Sequence, residues 1–251
     1  MKPKSPFDSN RLLQAVAHGD RARFESYLDE RFVAAGTILY HPGDDVARTY
    51  FPTLGGVVSH MLIANDGSAM QAATVGMEGA IGGVVSAGHR PAFARTMVLS
   101  DAAILSMATN RLEKIKKESY RIHDLFARYA DVFLAQLMQS VVCNARHSIE
   151  ARLCRWLLCL QDRMGDSLPM TQEMFADMLG VQRTTVSQAA TALRDAGVVE
   201  YKRGQVQIVD RSAIRARACE CYDAVEAHTR RIFPRDFGRS KPELSGPRYV
   251  G

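Results

Sequence analysis

The spacing of apolar residues changes twice along the chain and divides it into three regions. Residues 11–33 have helical spacing, whereas residues 32–107 contain short runs of β-type residues separated by Gly, Pro and an Asn65-Asp66-Gly67 turn. Short strands at regular turn spacing are typical of a β-sandwich or barrel. A long helical pattern follows at roughly 110–144, with apolar residues on more than one face. Strands are predicted at residues 37–40, 48–51, 57–63, 70–75 and 96–99.

Residues 168–210 predict two short helices joined by a tight turn. Thr171 is suited to cap the first helix and Gly180 to end it, because glycine accepts the left-handed conformation that commonly follows a helix. The second helix is predicted to begin near Gln182. Four of its residues point inward at i, i+3, i+4 and i+7: Val186, Ala189, Ala190 and Leu193.

A basic hairpin follows the second helix. Residues 198–209 alternate between apolar and polar positions about Lys202-Arg203-Gly204, which favours two strands joined by a glycine turn with two cations. Helix, turn, helix and hairpin in this order predict a winged helix-turn-helix, whose second helix enters the major groove of DNA. On the polar face of that helix, four side chains suit base edges: Arg183, Thr184, Ser187 and Gln188. Four further residues are predicted to contact phosphates: Thr171, Thr185, Lys202 and Arg203.

The run T-Q-E-x-x-A-D-x-L-G-V-x-R-x-T-V-S, followed by G-V-V-E and the glycine hairpin, resembles the DNA-binding domain of Crp/Fnr-type bacterial transcription regulators. The resemblance implies a homodimer that binds palindromic double-stranded DNA, with RNA polymerase as a further partner. It also implies an α+β fold: an N-terminal double-stranded β-roll, which is the jelly roll of cyclic-nucleotide-binding domains, then a long dimerisation helix and the winged helix-turn-helix. The corresponding domains are residues 1–109, 110–147, 148–212 and 213–251, the last comprising a helix and a tail that we expect to be disordered.

The β-roll part of the resemblance rests on shorter fragments, among them Val75-Gly76-Met77-Glu78-Gly79. Family members that bind cyclic AMP have a Gly-Glu pair for the ribose and an Arg-Ser pair for the cyclic phosphate. Gly83 stands here in place of the Glu, and Ala92-Phe93 in place of Arg-Ser. Burying a phosphate without a cation is costly, so cyclic AMP is not expected to bind in the usual way, and no cofactor is predicted. Arg90 or Arg95 is an alternative source of the cation.

The long helix at 110–144 is expected to be covered on two sides because it is apolar on more than one face. In the family, the corresponding helix packs on the β-roll with one side and on its copy in a second subunit with the other, as a two-stranded coiled coil. The alternative is a single amphipathic helix of a monomer. A hinge is predicted at residues 144–147. The predicted dimer interface comprises Ile122, Leu125, Phe126, Tyr129, Phe133, Leu137 and Val141.

The charge distribution favours a polyanionic partner for the C-terminal half. Of 32 Lys+Arg and 27 Asp+Glu, residues 1–110 contain nine basic and ten acidic residues, so the positive excess lies in residues 111–251. A solvated basic surface alone would give the same balance. No apolar stretch is long enough to span a membrane, and MKPKSPFDSNR lacks the apolar segment of a signal peptide. We therefore expect a soluble, cytoplasmic protein without a membrane partner.

No catalytic or metal site is predicted. The five cysteines are expected to be reduced thiols, and no cysteine precedes Cys143, which excludes an iron–sulfur cluster of the kind that some family members carry ahead of the β-roll. Cys219 and Cys221 on one helix would point about 200° apart and could not readily chelate one metal. The seven histidines lack metal-ligand spacing, and Glu78, in a glycine-flanked turn, is assigned a backbone role. Without a nucleophile–base pair or a Walker loop, the protein is not expected to be an enzyme. The alternative function is a ligand- or haem-sensing interaction module with a vestigial DNA-binding domain.

Overall fold

Two antiparallel sheets form the N-terminal half of the chain. The computed structural model describes residues 6–86, 88–202 and 204–233. One sheet has the order β1-β7-β3 and the other β2-β6-β4-β5. Between them lies an apolar cluster that includes Val58, Val98 and Ile104, all at most 1% exposed. The strands are β1 Asp29–Val33, β2 Ile38–Tyr40, β3 Arg48–Pro52, β4 Val58–Ile63, β5 Ala69–Val75, β6 Arg95–Val98 and β7 Ala102–Ala108.

All five predicted strands form, but β1 lies where helical spacing predicts a helix. The helical region is limited to two short helices, α1 (Arg11–Gln14) and α2 (His18–Glu25). Residues of β1 pair with β7 from Asp29 opposite Ser106 to Val33 opposite Ala102. Most β1 side chains remain exposed, so its backbone pairing, and not a buried face, determines its conformation. The prediction of helix for residues 29–33 was therefore wrong, because long-range pairing overrides local spacing.

The predicted long helix is two helices. These are α3 (Thr109–Glu118) and α4 (Tyr120–Arg146), which meet at Ser119. Ser119 adopts an extended conformation and its hydroxyl accepts a hydrogen bond from the Ile122 backbone N–H at 3.4 Å. Serine at this position caps a new helix. The break lets α3 and α4 contact the sheets independently.

The N-terminal half of α4 is buried within its own protomer. Phe126 is 1% exposed and packs edge-on against Phe51, and the Tyr129 hydroxyl donates a hydrogen bond to the Ala80 carbonyl at 3.0 Å. A side chain buried in this way cannot contact a second subunit. The predicted dimer interface was therefore wrong for four of its residues, which are all at most 5% exposed: Ile122, Leu125, Phe126 and Tyr129. Phe133 and Leu137 are half-buried, and Val141 is exposed.

The C-terminal half begins where α4 ends. His147 follows α4, and the Ser148 hydroxyl accepts from the Ala151 N–H at 3.3 Å to cap the next helix, so the chain changes direction at the end of the predicted hinge. A three-stranded sheet of order β8-β10-β9 completes the domain. The elements are α5 Ile149–Met164, β8 Ser167–Leu168, α6 Gln172–Leu179, α7 Arg183–Asp195, β9 Val199–Lys202, β10 Gln205–Ile208, α8 Arg211–Arg217 and α9 Cys221–Ile232.

The last predicted helix, residues 213–233, is also broken. Helix α8 ends at Arg217, Cys219 lies in the connection, and α9 begins at Cys221 and packs along α4. The premise that Cys219 and Cys221 share one helix was therefore wrong. The predicted disordered tail, residues 234–251, lies outside the described residues. None of the helices in the described part of the chain is long and apolar enough to cross a membrane.

A mostly buried ion pair joins the two halves of the protein. Arg163 of α5 donates to Glu78 Oε1 at 2.7 Å and 3.0 Å, and the same oxygen accepts from the Gly76 N–H at 2.9 Å. Burial alone would raise the pKa of Glu78, but the charge and hydrogen bonds of Arg163 hold this pKa below its usual value. Glu78 therefore has the backbone role that its turn indicates and, in addition, an interdomain one.

We expect Glu78→Gln to lower the free energy of unfolding at pH 7 by about 2 kcal/mol, because Arg163 would be left as a mostly buried, uncompensated cation. The lowered pKa means that the pair stabilises the protein above about pH 4.3 and that this contribution is lost as the pH falls further. Urea unfolding at pH 7 and pH 4 measures both effects. In the exposed Arg194–Asp195 pair, Asp195→Asn should change stability by less than about 0.5 kcal/mol. Equal losses of stability in the two variants would contradict the role of the Glu78–Arg163 pair as a stabilising contact between the two halves.

Candidate nucleic-acid interface

The helix-turn-helix is set by two local interactions that the sequence predicts. The Thr171 hydroxyl accepts from the Met174 N–H at 3.2 Å and caps α6. Gly180 follows α6 with φ 64°, a left-handed conformation that favours glycine. The turn then brings the chain to Gln182, and α7 begins at Arg183.

One face of α7 is buried and the opposite face is open. Val186, Ala190 and Leu193 are fully buried and Ala189 is half-buried, as the spacing predicts. On the other side Arg183, Thr184 and Gln188 are exposed, whereas Thr185 and Ser187 are half-buried. The open face offers donors and acceptors at the N-terminal end of the helix, where recognition helices contact bases.

Two of the predicted contact residues already have partners within the protein. The Ser187 hydroxyl lies 2.7 Å from Gln172 Oε1 and 3.0 Å from the Arg183 carbonyl, so it links α7 to α6. Arg183 Nε is 3.7 Å from Glu173 Oε2, with both side chains about two-thirds exposed. A contact this long and this exposed is weak, so the guanidinium of Arg183 is available to a ligand.

The predicted basic hairpin forms beside α7. Lys202 of β9 pairs with Gln205 of β10, and Gly204 in the turn has φ 74°. The Lys202 ammonium is exposed, with Glu200 as its 3.8 Å neighbour. Arg203, the other predicted phosphate contact at the tip, lies outside the described residues. Strand β8, which the sequence analysis did not predict, pairs with β10 and anchors the hairpin to the domain.

We expect Lys202→Gln to lower the slope of log K against log salt by about 1 for each hairpin that contacts DNA, with an unchanged base preference, since phosphate contacts carry no sequence information. Binding titrations at several salt concentrations measure the slope. Lys114 on α3 is equally exposed, 67% for each side chain, and lies outside the winged domain, so Lys114→Gln is a matched control that should leave the slope unaltered. A changed consensus in the Lys202 variant would show that the hairpin reads bases.

The segment around Gly83, where the resemblance implies the ribose-binding Glu of a cyclic-nucleotide site, is held by contacts within the protein. Lys116 of α3 donates from Nζ to the carbonyls of Gly83 and Val84 at 2.9 Å and 2.8 Å. Gly83 has φ 61°, and a Cβ there would overlap the Thr109 side chain. Any residue larger than glycine, including Glu, would clash with Thr109 at this position.

The alternative cations also have defined surroundings. Arg90 pairs with Glu113 at 3.1 Å, and its side chain is 11% exposed. Arg95 is half-buried in β6. The adjoining His60 packs against the Phe133 ring at 5.5 Å, and burial lowers its pKa to about 4. His60 is therefore neutral at physiological pH and supplies no cation to a phosphate.

A small cavity lies between the β-roll, α4, α5 and α9. Its volume is about 80 Å³ and its lining includes Tyr129, Phe133, Arg155, Arg163 and Tyr222. Pockets for small molecules usually measure roughly 300–1,000 Å³. The cavity is therefore too small in this conformation for a nucleotide.

A β-roll followed by a helix-turn-helix with an open recognition face and a basic hairpin defines the architecture of a DNA-binding transcription regulator. Residues 151–217 match the Crp-like helix-turn-helix domain family. None of the curated proteins matches the chain. The family match identifies the C-terminal domain as a Crp-like helix-turn-helix domain.

Several solved structures share the fold of this chain. FixK2 from Bradyrhizobium japonicum is 17% identical, with 76% of this chain and 98% of that chain covered and a TM-score of 0.66. The c-di-GMP responsive global regulator CLP of Xanthomonas campestris is 16% identical, with 77% and 100% covered and a TM-score of 0.62. A CRP-family regulator from Thermus thermophilus is 19% identical, with 75% and 96% covered and a TM-score of 0.60. At these identities the similarity supports the fold only. The effector and the target site have to be inferred from the residues of this chain.

Proposed function

We propose that the protein is a homodimeric regulator that binds a palindromic DNA site and does not require a cyclic nucleotide. In this proposal residues 1–109 form the sensor-like domain, 110–147 dimerise and 148–212 bind DNA. The observation that carries the proposal is the open face of α7, with Arg183, Thr184 and Gln188 exposed beside a basic hairpin. A domain that had lost DNA binding would not be expected to retain an exposed arginine and glutamine, Arg183 and Gln188, along this face. The protein acts by binding, without catalysis.

A second apolar surface on α4 supports the homodimer. Leu134, Met138 and Val141 are 52%, 58% and 70% exposed, and they follow one another at steps of four and three residues on the side of α4 opposite the buried Tyr129. Steps of three and four residues are those of a coiled-coil seam. We call these three residues the α4 seam. Solvent exposure of so regular a stripe is unfavourable, and a second copy of α4 would cover it.

Independence from cyclic nucleotides is supported by the packing at Gly83, where a Cβ would overlap the Thr109 side chain. The phosphate-binding pair is replaced by Ala92 and Phe93, Phe93 is 88% exposed, and Arg90 is engaged by Glu113. A ligand that makes no differential contacts with two states cannot shift their populations. Cyclic AMP is therefore not expected to change the DNA affinity.

Selection of bound sequences from random duplexes, with the effector-free protein, tests the proposal. We expect enrichment of a palindrome whose half-sites are about 34 Å apart, the spacing of two recognition helices on one face of DNA. No enrichment would favour the sensing module with a vestigial DNA-binding domain, and the visible spectrum of the purified protein would show whether such a module carries haem. An unpaired half-site would contradict the dimer.

Calorimetric titration with cyclic AMP and cyclic GMP tests the independence from cyclic nucleotides and should give no binding. Micromolar binding that raises the DNA affinity would overturn this part of the proposal.

A further inference from the structure

Four potential metal ligands meet at the end of α4. Cys143 lies in the last turn of α4 and His147 directly follows that helix, while Cys219 and Cys221 flank Glu220 between α8 and α9. The donor atoms of the four side chains all lie within 4.8 Å of one another. Cys143 Sγ is 3.5 Å from Cys219 Sγ, and Cys221 Sγ is 3.4 Å from His147 Nδ1. Two segments more than 70 residues apart thus converge on one point.

The local structure explains the convergence. Residues four apart at the end of a helix share a face, which places Cys143 and His147 side by side. The break between α8 and α9 puts Cys219 in an extended connection and Cys221 at the start of a helix. The two thiols can then point the same way, which a continuous helix would prevent.

The separations are those of a tetrahedral zinc site. With Zn–S of about 2.3 Å and Zn–N of about 2.0–2.1 Å, tetrahedral geometry requires S···S of about 3.8 Å and S···N of about 3.5 Å. A disulfide is a poorer account, because it would join two of the thiols and leave the third thiol and the imidazole without a role. Cys143 and Cys221 are fully buried and Cys219 is 8% exposed, so four protein ligands would surround the ion, as in structural zinc sites.

Two neighbouring side chains contact the proposed ligands in the way that side chains around metal sites commonly do. Glu220 Oε1 lies 3.2 Å from His147 Nε2, which would fix the tautomer that leaves Nδ1 free to coordinate. Gln139 Nε2 donates to Cys221 Sγ at 3.1 Å. Hydrogen bonds of this kind orient ligands and tune their basicity.

Two buried arginines supply an independent observation. Arg152 and Arg155 are 5% and 2% exposed, and within the described residues neither forms an ion pair with a carboxylate and neither Nε has a hydrogen-bond partner. Both lie beside the end of α4: Arg152 Nη2 donates to Asn144 Oδ1 at 2.8 Å and Arg155 Nη2 to the Ser140 hydroxyl at 3.2 Å. Buried cations require a compensating negative charge. Three thiolates around Zn²⁺ carry a net charge of −1, which would offset half of the charge of the two arginines.

We propose that Cys143, His147, Cys219 and Cys221 bind one Zn²⁺ per chain and thereby fasten the start of α9 to the end of α4. On binding, the three thiols release their protons to solvent. Because α5 starts at Ile149, two residues after His147, the zinc fixes the junction through which the β-roll and the winged helix-turn-helix are connected. The site belongs to neither the DNA-binding face nor the cyclic-nucleotide segment.

Metal analysis of the full chain, purified under reducing conditions, is the first test. We expect one zinc per chain in the native protein and loss of at least about nine-tenths of it in Cys143→Ser and Cys221→Ser. Cys159 is half-buried outside the cluster, so Cys159→Ser is the matched control and should retain one zinc. Absence of zinc from the native protein, iron in its place, or equal loss in the control would overturn the proposal.

A second measurement does not depend on the folding of the cysteine variants. Native protein stripped of zinc and titrated with Co²⁺ should show the intense visible bands of tetrahedral cobalt and thiolate-to-metal charge transfer, with saturation at one equivalent. Glu220→Ala should weaken Zn²⁺ affinity by about tenfold while the spectrum of the Co²⁺ form is kept, since outer partners of ligating histidines typically contribute 10–100-fold. Octahedral, weakly absorbing cobalt or an unchanged affinity in the Glu220 variant would contradict the site.

Discussion

Replacing Leu134 and Val141 of the α4 seam by glutamate is expected to convert the protein to a monomer and to lower its affinity for the full palindrome by roughly 30–3,000-fold. In a twofold dimer each glutamate would face an apolar surface and its own copy, so that both desolvation and like-charge repulsion oppose association. A monomer retains one half-site of contacts, and specific binding exceeds non-specific binding by roughly 10³–10⁷-fold. Loss of half of that free energy accounts for the expected change.

Sedimentation and binding titrations on the same preparations separate this effect from misfolding. Phe32 on β1 and Phe93 are also exposed, at 74% and 88%, and they lie outside the seam, so glutamate at both positions is a matched control that should leave the dimer intact. If the protein with the seam substitutions remains a dimer, the interface lies elsewhere. If the control variant also dissociates, the dimer interface is not centred on α4.

The winged helix-turn-helix could be predicted from sequence because its determinants are local. The Thr171 cap, the left-handed Gly180 and the inward residues of α7 lie within 23 residues, and each acts on neighbours a few positions away. Capping, turn conformation and helical spacing are properties of the adjacent chain. The spacing therefore predicts both the elements and the side chains that remain open to DNA.

The parts that could not be predicted depend on long-range contacts. The helical spacing of α4 shows two apolar faces, but spacing alone does not tell which face packs against the rest of the same chain. Phe126 and Tyr129 are buried against the β-roll, whereas Leu134 and Val141 of the α4 seam remain exposed. In the same way β1 forms because β7 is beside it. Tertiary pairing decides between local alternatives of similar free energy.

The cysteine cluster was missed for a related reason. A helix across residues 213–233 makes Cys219 and Cys221 diverge, whereas the break after Arg217 makes them converge on Cys143, 76 residues earlier than Cys219. The sequence contains one local signal, the spacing of Cys143 and His147 by four residues. Such a pair on a helical face, together with a Cys-x-Cys elsewhere in the chain, would justify a search for a metal site before a search for disulfides.

Arg183→Ala is expected to cost about 1–3 kcal/mol per half-site, and thus roughly 2–6 kcal/mol for a dimer on a symmetric site. The guanidinium begins the recognition helix, and its fork matches the O6 and N7 acceptors of a guanine in the major groove. Within the described residues Arg183 forms an ion pair with Glu173, at 3.7 Å between exposed side chains. Little free energy is therefore lost when the arginine turns to DNA.

The pattern of the loss across sequences is more decisive than its size. Selection with Arg183→Ala should relax the preference at one base of each half-site and leave the other positions unchanged, because the remaining side chains of α7 keep their contacts. Arg194 on the same helix is similarly exposed and pairs with Asp195, so Arg194→Ala controls for the removal of a positive charge. Gln188→Ala should relax a different position, at which we expect an adenine. If Arg183→Ala instead weakened binding uniformly over all sequences, as the loss of a phosphate contact would, Arg183 would be a backbone contact and the half-site would be read by Thr184 and Gln188.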